Sequence, residues 1–372
     1  MKKYHTYFAW LMSILSVVIS GLFICAFYLE PLNGGLTRMG GYSENKFGWQ
    51  KPEQRFERPL YQVDNYNRYY DVVVFGDSFS YNNQKAETDA GTYWPNFLVN
   101  RTGLSLVSFH YGRSDLEKLI HSNEFKLFPP RLLIYEVVER DVIYVPNYGN
   151  EINLENNCVT DEIHMDLPLS YAPLGLQPRQ FHRPEVYMPN EVGVFGVDLK
   201  TAANFIKKNA LRMFPGIYNS KIIKLNLTRS DLFSSQTSNQ LLIYGQDIEK
   251  SAWGEKKLDI TRCKLVALQN MVQSNGKTFF VLMIAPDKLT AYSDYLEDKQ
   301  YTGLSKIDTI ASSGLHALRL DLRIKKEVAS GIIDLYLPND THWGSTGHKI
   351  AADTLVDYLQ TAGVLQKQIS SH

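Results

Sequence analysis

The chain has 372 residues, with 39 Lys and Arg set against 39 Asp and Glu and no long basic run. That balance leaves no electrostatic footprint for a polyanionic nucleic acid, and the length suits one elaborated α/β domain or two average ones. Three cysteines, none in a Cys-His cluster with zinc-site spacing, give no reason to expect a metal.

Residues Tyr7 to Leu29 carry no charge and are long enough as a helix to cross a hydrocarbon core of roughly 30 Å. Lys2 and Lys3 precede them, and positive flanks stay cytoplasmic, so the bulk of the chain is expected in the periplasm or outside the cell. The run exceeds a signal-peptide core and no small-x-small site closes it, which favours an uncleaved anchor. The expected organisation is therefore a cytoplasmic tip and anchor over 1–29, a juxtamembrane tether over 30–67, and a folded domain over 68–372. The tether reading rests on Gly34-Gly35, Gly40-Gly41, Pro52 and Pro59 in a stretch without periodicity.

Five apolar runs read as buried strands: Val72 to Phe75, Leu104 to Phe109, Leu132 to Val138, Phe279 to Ile284, and Ile332 to Leu337. Helical stretches fall between them at Asp115 to Phe125, Ile260 to Ser274 and Leu304 to Ser330. Strands alternating with helices imply a parallel sheet covered on both faces. One interval, about 145–258, is too long for a plain loop. It reads as an insertion over the strand ends and contains a basic amphipathic stretch from Lys200 to Phe214. Cys158 and Cys263 fit either one disulfide in an oxidising compartment or two buried thiols.

Two motifs at opposite ends of the domain carry the chemistry. Gly76-Asp77-Ser78-Phe79 follows the first strand, and Asp340-Thr341-His342-Trp343 follows the last expected one. A hydroxyl needs a base to become a nucleophile. His342 supplies the base for Ser78, and Asp340 can hold the imidazole tautomer and stabilise the charged ring. Asp77 is read as a turn organiser. Each motif alone has a structural explanation, a turn or a helix cap; their placement at the first and last strand ends favours chemistry. Gly112, just past the second strand, and the Ser78 N–H are the expected oxyanion donors. Tyr81, Arg113 and Trp343 are the expected substrate contacts, with Tyr93 and Trp94 more readily placed in the core. Arg113 or Arg140 could add positive charge near the oxyanion, though Arg140 reads better as an ion-pair partner of Glu139, Glu136 or Asp141; Lys288 could face the cleft from the fourth strand end but reads better as a solvated loop lysine.

The strand followed by Gly76-Asp77-Ser78 resembles block I of the SGNH (GDSL-type) hydrolases, and the run from Asp340 to Ala351 resembles block V. Ser78-Phe79, Asp340 to Trp343, Glu136 to Arg140 and Ala285 to Lys288 are similar to the periplasmic SGNH-like proteins of alginate O-acetylation. Three departures stand out. The Asp-Thr-His-Trp element follows the serine motif here, whereas in the alginate proteins it precedes it. The spacing is Asp-x-His, not Asp-x-x-His. The block III Gly-x-Asn-Asp is absent, with Glu136 to Arg140 in its place.

The resemblance implies a three-layer α/β fold with a central parallel sheet of about five strands, to which the apolar run adds an N-terminal transmembrane helix. It also implies an acetyltransferase working through an acyl-Ser78 on hydroxyls of a surface or cell-wall polysaccharide, with no cofactor. The acyl donor would be supplied by a membrane-bound O-acyltransferase. A carbohydrate esterase on the same site and a non-catalytic glycan-binding assembly subunit are the alternatives.

Overall fold

The structure, a computed structural model, describes residues 2–28, 34–61, 65–81, 90–146, 184–187, 199–212, 221–311 and 314–366. Helix α1 (Lys2–Tyr28) is followed by the short helices α2 (Gly35–Gly40) and α3 (Glu44–Phe47) and by strand β1 (Glu53–Arg55). The next section runs β2 (Val72–Gly76), α4 (Trp94–Thr102), β3 (Leu106–His110), α5 (Leu116–His121), α6 (Asn123–Leu127) and β4 (Leu132–Val138). Strand β5 (Glu185–Tyr187), helix α7 (Leu199–Arg212), the hairpin β6 (Ile222–Asn226) and β7 (Gln240–Tyr244), and helices α8 (Gln246–Glu249) and α9 (Glu255–Gln273) come next. The chain continues through β8 (Phe279–Ala285), α10 (Lys288–Tyr292), α11 (Ile307–Ile310), β9 (Ala317–Leu318), α12 (Leu320–Ala329) and α13 (Ser345–Thr361).

Five of these strands form one parallel sheet in the order β3-β2-β4-β8-β9. Strands β2 and β8 carry no polar side chain, and β4 only Tyr135 and Glu136, because both faces of the sheet are covered, and the two-residue period sorts the side chains. Val72 and Val74, Ile134, and Val281 and Met283 enter one core, packed under α4, α12 and α13. Val73 and Phe75, Leu133 and Tyr135, and Phe280 and Leu282 enter the other, under α5, α6, α9 and α11. Strand order reverses at β2, whose neighbours β3 and β4 follow it in sequence on opposite sides. The crevice beyond the carboxyl end of such a strand is where open α/β sheets place ligands, and Ser78 lies two residues past Gly76.

Helix α1 contains the span Tyr4–Phe23, with mean hydropathy 1.8 and none of it buried, long and apolar enough to cross a membrane.

Three expectations change. Ile332 to Leu337 is not a strand of the sheet: Asp334 takes a φ of 56°, and only an isolated bridge joins Tyr336 to Trp343. The fifth strand is instead the two-residue edge β9. The stretch from Leu304 to Ser330 is not one helix but α11, β9 and α12 in turn. Residues 34–61 are not a loose tether. Leu36 and Phe47 pack with Ile222 and Leu242, β1 pairs antiparallel with β5, and the Glu53 carboxylate accepts from the Ser345 N–H at the start of α13, where an acid complements the helix dipole. Much of the insertion, including Cys158, lies outside the described residues. Cys263, on α9, is disulfide-bonded.

Beneath the ends of β4 and β8 lies a buried ionic cluster. Lys250 Nζ contacts Glu139 Oε2 at 2.9 Å and Asp287 Oδ2 at 2.8 Å, and Arg140 Nη1 lies 3.2 Å from Asp287 and 3.5 Å from Asp247. Arg140 is thus an ion-pair residue, but with Asp287, and with Asp247 when that carboxyl is ionised, and not with the neighbours expected from sequence. Burial pushes the Asp247 carboxyl up to about 8, and the Asp287 charge adds to the rise against Arg140 and Lys250. With Asp247 neutral, two cations face Glu139 and Asp287. Because the folded pKa lies above the ordinary Asp value, the folded state holds an extra proton between pH 3.8 and about 8, and stability falls as pH rises through that window. Asp247→Asn makes the neutral form permanent. Thermal melts at pH 5 and pH 8 should show a smaller decline in the variant, worth about 2–4 °C per kcal/mol recovered at pH 8.

Candidate active site

Ser78 sits in a turn locked from below. The Asp77 carboxylate accepts from Phe79 N and from Val138 N at the end of β4, each at 2.8 Å. Glu136 Oε2 accepts from Asp77 N at 3.1 Å and from Ser80 Oγ at 2.8 Å, and Trp94 Nε1 donates to Ser80 Oγ at 3.0 Å. Asp77 is therefore the turn organiser its position suggested. Burial, reinforced by the Asp77 charge, drives the Glu136 carboxyl well above its ordinary range. Gly76 is required by space: a Cβ there would lie 2.6 Å from Glu136 Oε2 and 2.8 Å from Ser80 Oγ.

The loop bearing Asp340 and His342 folds back as a narrow hairpin, with Leu337 N donating to His342 O and Gly344 N to Leu335 O, both at 3.0 Å. Two parts of the chain remote in sequence hold it. Lys288 Nζ donates to the carbonyls of Leu337, Pro338 and Asp340 at 2.7, 2.9 and 3.0 Å. Three acceptors match the three N–H donors of an ammonium. Burial pulls that ammonium down to about 7 against the attraction of Asp340, Asp334 and Asp247. From the other side, Leu36 N donates to Asn339 O at 3.0 Å, and Gly35 N donates to Asp340 Oδ2 at 2.6 Å.

Together these elements bring the three predicted residues into one chain of contacts. His342 Nε2 lies 2.8 Å from Ser78 Oγ, and His342 Nδ1 lies 2.7 Å from Asp340 Oδ1, which also accepts from His342 N at 3.1 Å. A carboxylate on Nδ1 places the ring proton there and leaves Nε2 as the acceptor facing the hydroxyl. Burial alone would raise the Asp340 carboxyl. The His342 charge and hydrogen bonds, with the Gly35 N–H, more than offset it and hold the group well below the usual carboxylate range. Phe79 packs against both the His342 ring, 5.0 Å between centroids, and Trp343, at 4.7 Å. The arrangement can take a proton from Ser78 as it attacks an acyl carbon.

The other predicted residues separate. Ser78 N–H makes no hydrogen bond among the described residues, as an oxyanion donor requires, whereas Gly112 N–H is spent on His110 Nδ1 at 2.9 Å. Trp343 does not line a substrate site: it is fully buried, as are Tyr93 and Trp94, so core packing takes all three. Tyr81 stays partly exposed, its ring 5.9 Å from that of His110, and Arg113 is exposed on the turn after β3. A cavity of about 660 Å³ opens at the same strand ends, lined by Phe75, Tyr111, Tyr135, Asp141 and Tyr144 among others and by no member of the triad. Among the described residues no group of three His, Cys, Asp or Glu could hold a metal ion.

Sequence reasoning missed Lys288, Gly35 and His110. Lys288 is 1% exposed and not the solvated lysine expected; its position just past a buried strand was the only available signal. Comparison with protein-family models, curated proteins and solved structures returns no match.

Gly35 is the first residue of α2, where proline is tolerated, and Gly34 has the extended ψ of 145° that a following proline needs. A Cβ at Gly35 would sit 3.0 Å from Asp340 Oδ2. Gly35→Ala therefore introduces the Cβ crowding alone, and Gly35→Pro also replaces an N–H that lies 2.6 Å from Asp340 Oδ2 with a Cδ that does not fit there, so the carboxylate must move. Relative to Gly35→Ala, Gly35→Pro should lower Ser78-dependent turnover of p-nitrophenyl acetate by about tenfold or more, since the lost hydrogen bond to a charged group alone is on that scale. Equal rates in the two variants would show that the N–H does not tune Asp340.

Proposed function

We propose that the protein is a membrane-anchored, extracytoplasmic acyltransferase of the SGNH type that passes an acetyl group through Ser78 to hydroxyls of a surface or cell-wall polysaccharide. The observation that carries the reading is the contact chain Ser78 Oγ to His342 Nε2 at 2.8 Å and His342 Nδ1 to Asp340 at 2.7 Å, placed at the strand-order reversal of a parallel sheet. The block I and block V resemblances supply the superfamily, and the likeness to alginate O-acetylation proteins supplies the choice of transfer over hydrolysis.

In the first half-reaction Ser78 Oγ attacks the acyl carbon while His342 Nε2 takes the hydroxyl proton. Negative charge on the carbonyl oxygen meets the Ser78 N–H, and Gly112 N–H can join once the His110 ring releases it. Collapse expels the donor's oxygen, which takes the proton from His342, and leaves acetyl-Ser78. In the second half-reaction His342 removes the proton of a sugar hydroxyl, the sugar oxygen attacks the acetyl-Ser78 carbonyl, and Ser78 leaves with the proton restored. Throughout, Asp340 stays ionised and stabilises the imidazolium. Acetyl-coenzyme A is cytoplasmic, so an enzyme on the far side of the membrane needs its acetyl group handed across. A membrane-bound O-acyltransferase is the proposed partner, with α1 keeping Ser78 beside it.

Intact mass spectrometry after brief exposure to an activated acetyl ester tests this reading. The expected result is a single acetyl adduct on Ser78, absent in Ser78→Ala and His342→Ala, that a glycan acceptor discharges faster than water does. An adduct cleared at one rate with or without glycan would indicate an esterase. No Ser78-dependent adduct would indicate a binding subunit.

A further inference from the structure

Helix α7 is basic and amphipathic: its sequence contains Lys200, Lys207, Lys208 and Arg212 and no acidic residue. One side is fastened to the segment that follows the apolar helix. It packs against both α1 and α2, Lys208 Nζ donates to Arg38 O at 2.9 Å, and Asn209 Nδ2 donates to Gly41 O at 3.2 Å. Among the described residues, the side turned away from that contact is uncovered. Ala203, Ile206 and Ala210, spaced i, i+3, i+7, form an exposed apolar stripe with Ile206 39% exposed, and the exposed Lys207 lies at its edge. A helix fixed beside a membrane-spanning one, with an outward apolar stripe edged by lysine and no acidic side chain, has the pattern of segments that lie in a bilayer interface. The apolar atoms meet acyl chains, and the lysine stems reach back to the headgroups.

We infer that α7 lies on the outer lipid surface, its Ala203, Ile206 and Ala210 stripe against anionic headgroups and the upper acyl chains. Chain length independently sets how far the proposed catalytic site can stand from that surface. Helix α1 ends at Tyr28 and Gly35 touches Asp340. Seven residue steps span at most about 25 Å when fully extended. With about 8 Å of helix added between Phe23, where the membrane-length span ends, and Tyr28, the Asp340 end of the site stands within roughly 33 Å of the bilayer, which suits a donor or acceptor presented from the membrane. The inference rests on α1 as a membrane anchor and not on acyl transfer.

The test places tryptophan at Ile206, and as a face control at Asn204, about 160° round the helix from it. The full chain is reconstituted in nanodiscs of phosphatidylcholine with phosphatidylglycerol, and the wild-type emission is subtracted. Ile206→Trp should add blue-shifted emission that acyl-brominated lipid quenches, while the emission added by Asn204→Trp should yield to aqueous acrylamide. Ile206→Trp emission open to acrylamide and untouched by brominated lipid would overturn the proposal. Emission shielded from both quenchers would also overturn it, by showing a protein partner or second copy on the stripe. A Ser78→Ala background should leave either pattern unchanged, which separates this outcome from that of the acetyl-transfer experiment.

Discussion

The Asp340 carboxylate is the point on which the site depends, because three separate parts of the chain converge there. One oxygen orients His342 through the ring N–H and the backbone N–H, and the other is held by Gly35, 305 residues earlier. A buried carboxylate is costly unless its lone pairs are met, so the loop carrying it must be fixed independently of the catalytic contacts. Lys288 does this by binding three carbonyls of that loop, and α13 begins two residues past Trp343 with the Glu53 carboxylate at its N-terminus.

Ser78 is held by a separate buttress. Asp77 and Glu136 tie the Ser78 turn to β4, and Glu139, Arg140, Lys250 and Asp287 fasten the ends of β4 and β8 beneath it. The segment Glu136 to Arg140 thus serves as scaffold: Glu136 holds the Ser78 turn, and Glu139 and Arg140 pair with Lys250 and Asp287. Hydrogen bonds to rigid strand ends position Ser78, so the hydroxyl and the imidazole arrive at contact distance without help from a bound substrate.

Much of this organisation was legible in the sequence. Continuous Val, Ile and Leu runs marked β2, β4 and β8 because a strand buried on both faces has no polar alternation, and the two short motifs marked Ser78, His342 and Asp340 because nucleophilic chemistry needs those residue types. Ile332 to Leu337 misled for the same reason: its apolar side chains fill the core as a strand's would. The run is broken by Asp334 at φ 56°, whose carboxylate accepts from Ser234 N at 2.8 Å, and no local pattern announces that bond. Gly35 was illegible because its role is a backbone N–H in a long-range contact, and Gly34-Gly35 reads locally as a flexible joint. Lys288 was illegible because a Pro-Asp-Lys turn has the same composition whether its lysine meets water or three buried carbonyls. Trp343 adjoins the base in sequence, but the tight loop turns it into the core.

The central claim is that Ser78, His342 and Asp340 act as one unit. The most direct measurement is the rate of fluorophosphonate labelling of the full chain, with the modified residue located by peptide mass mapping. A single adduct on Ser78, formed far more slowly in His342→Ala and in Asp340→Asn, is the predicted result. Labelling at another residue, or at Ser78 with a rate indifferent to both substitutions, would contradict the account.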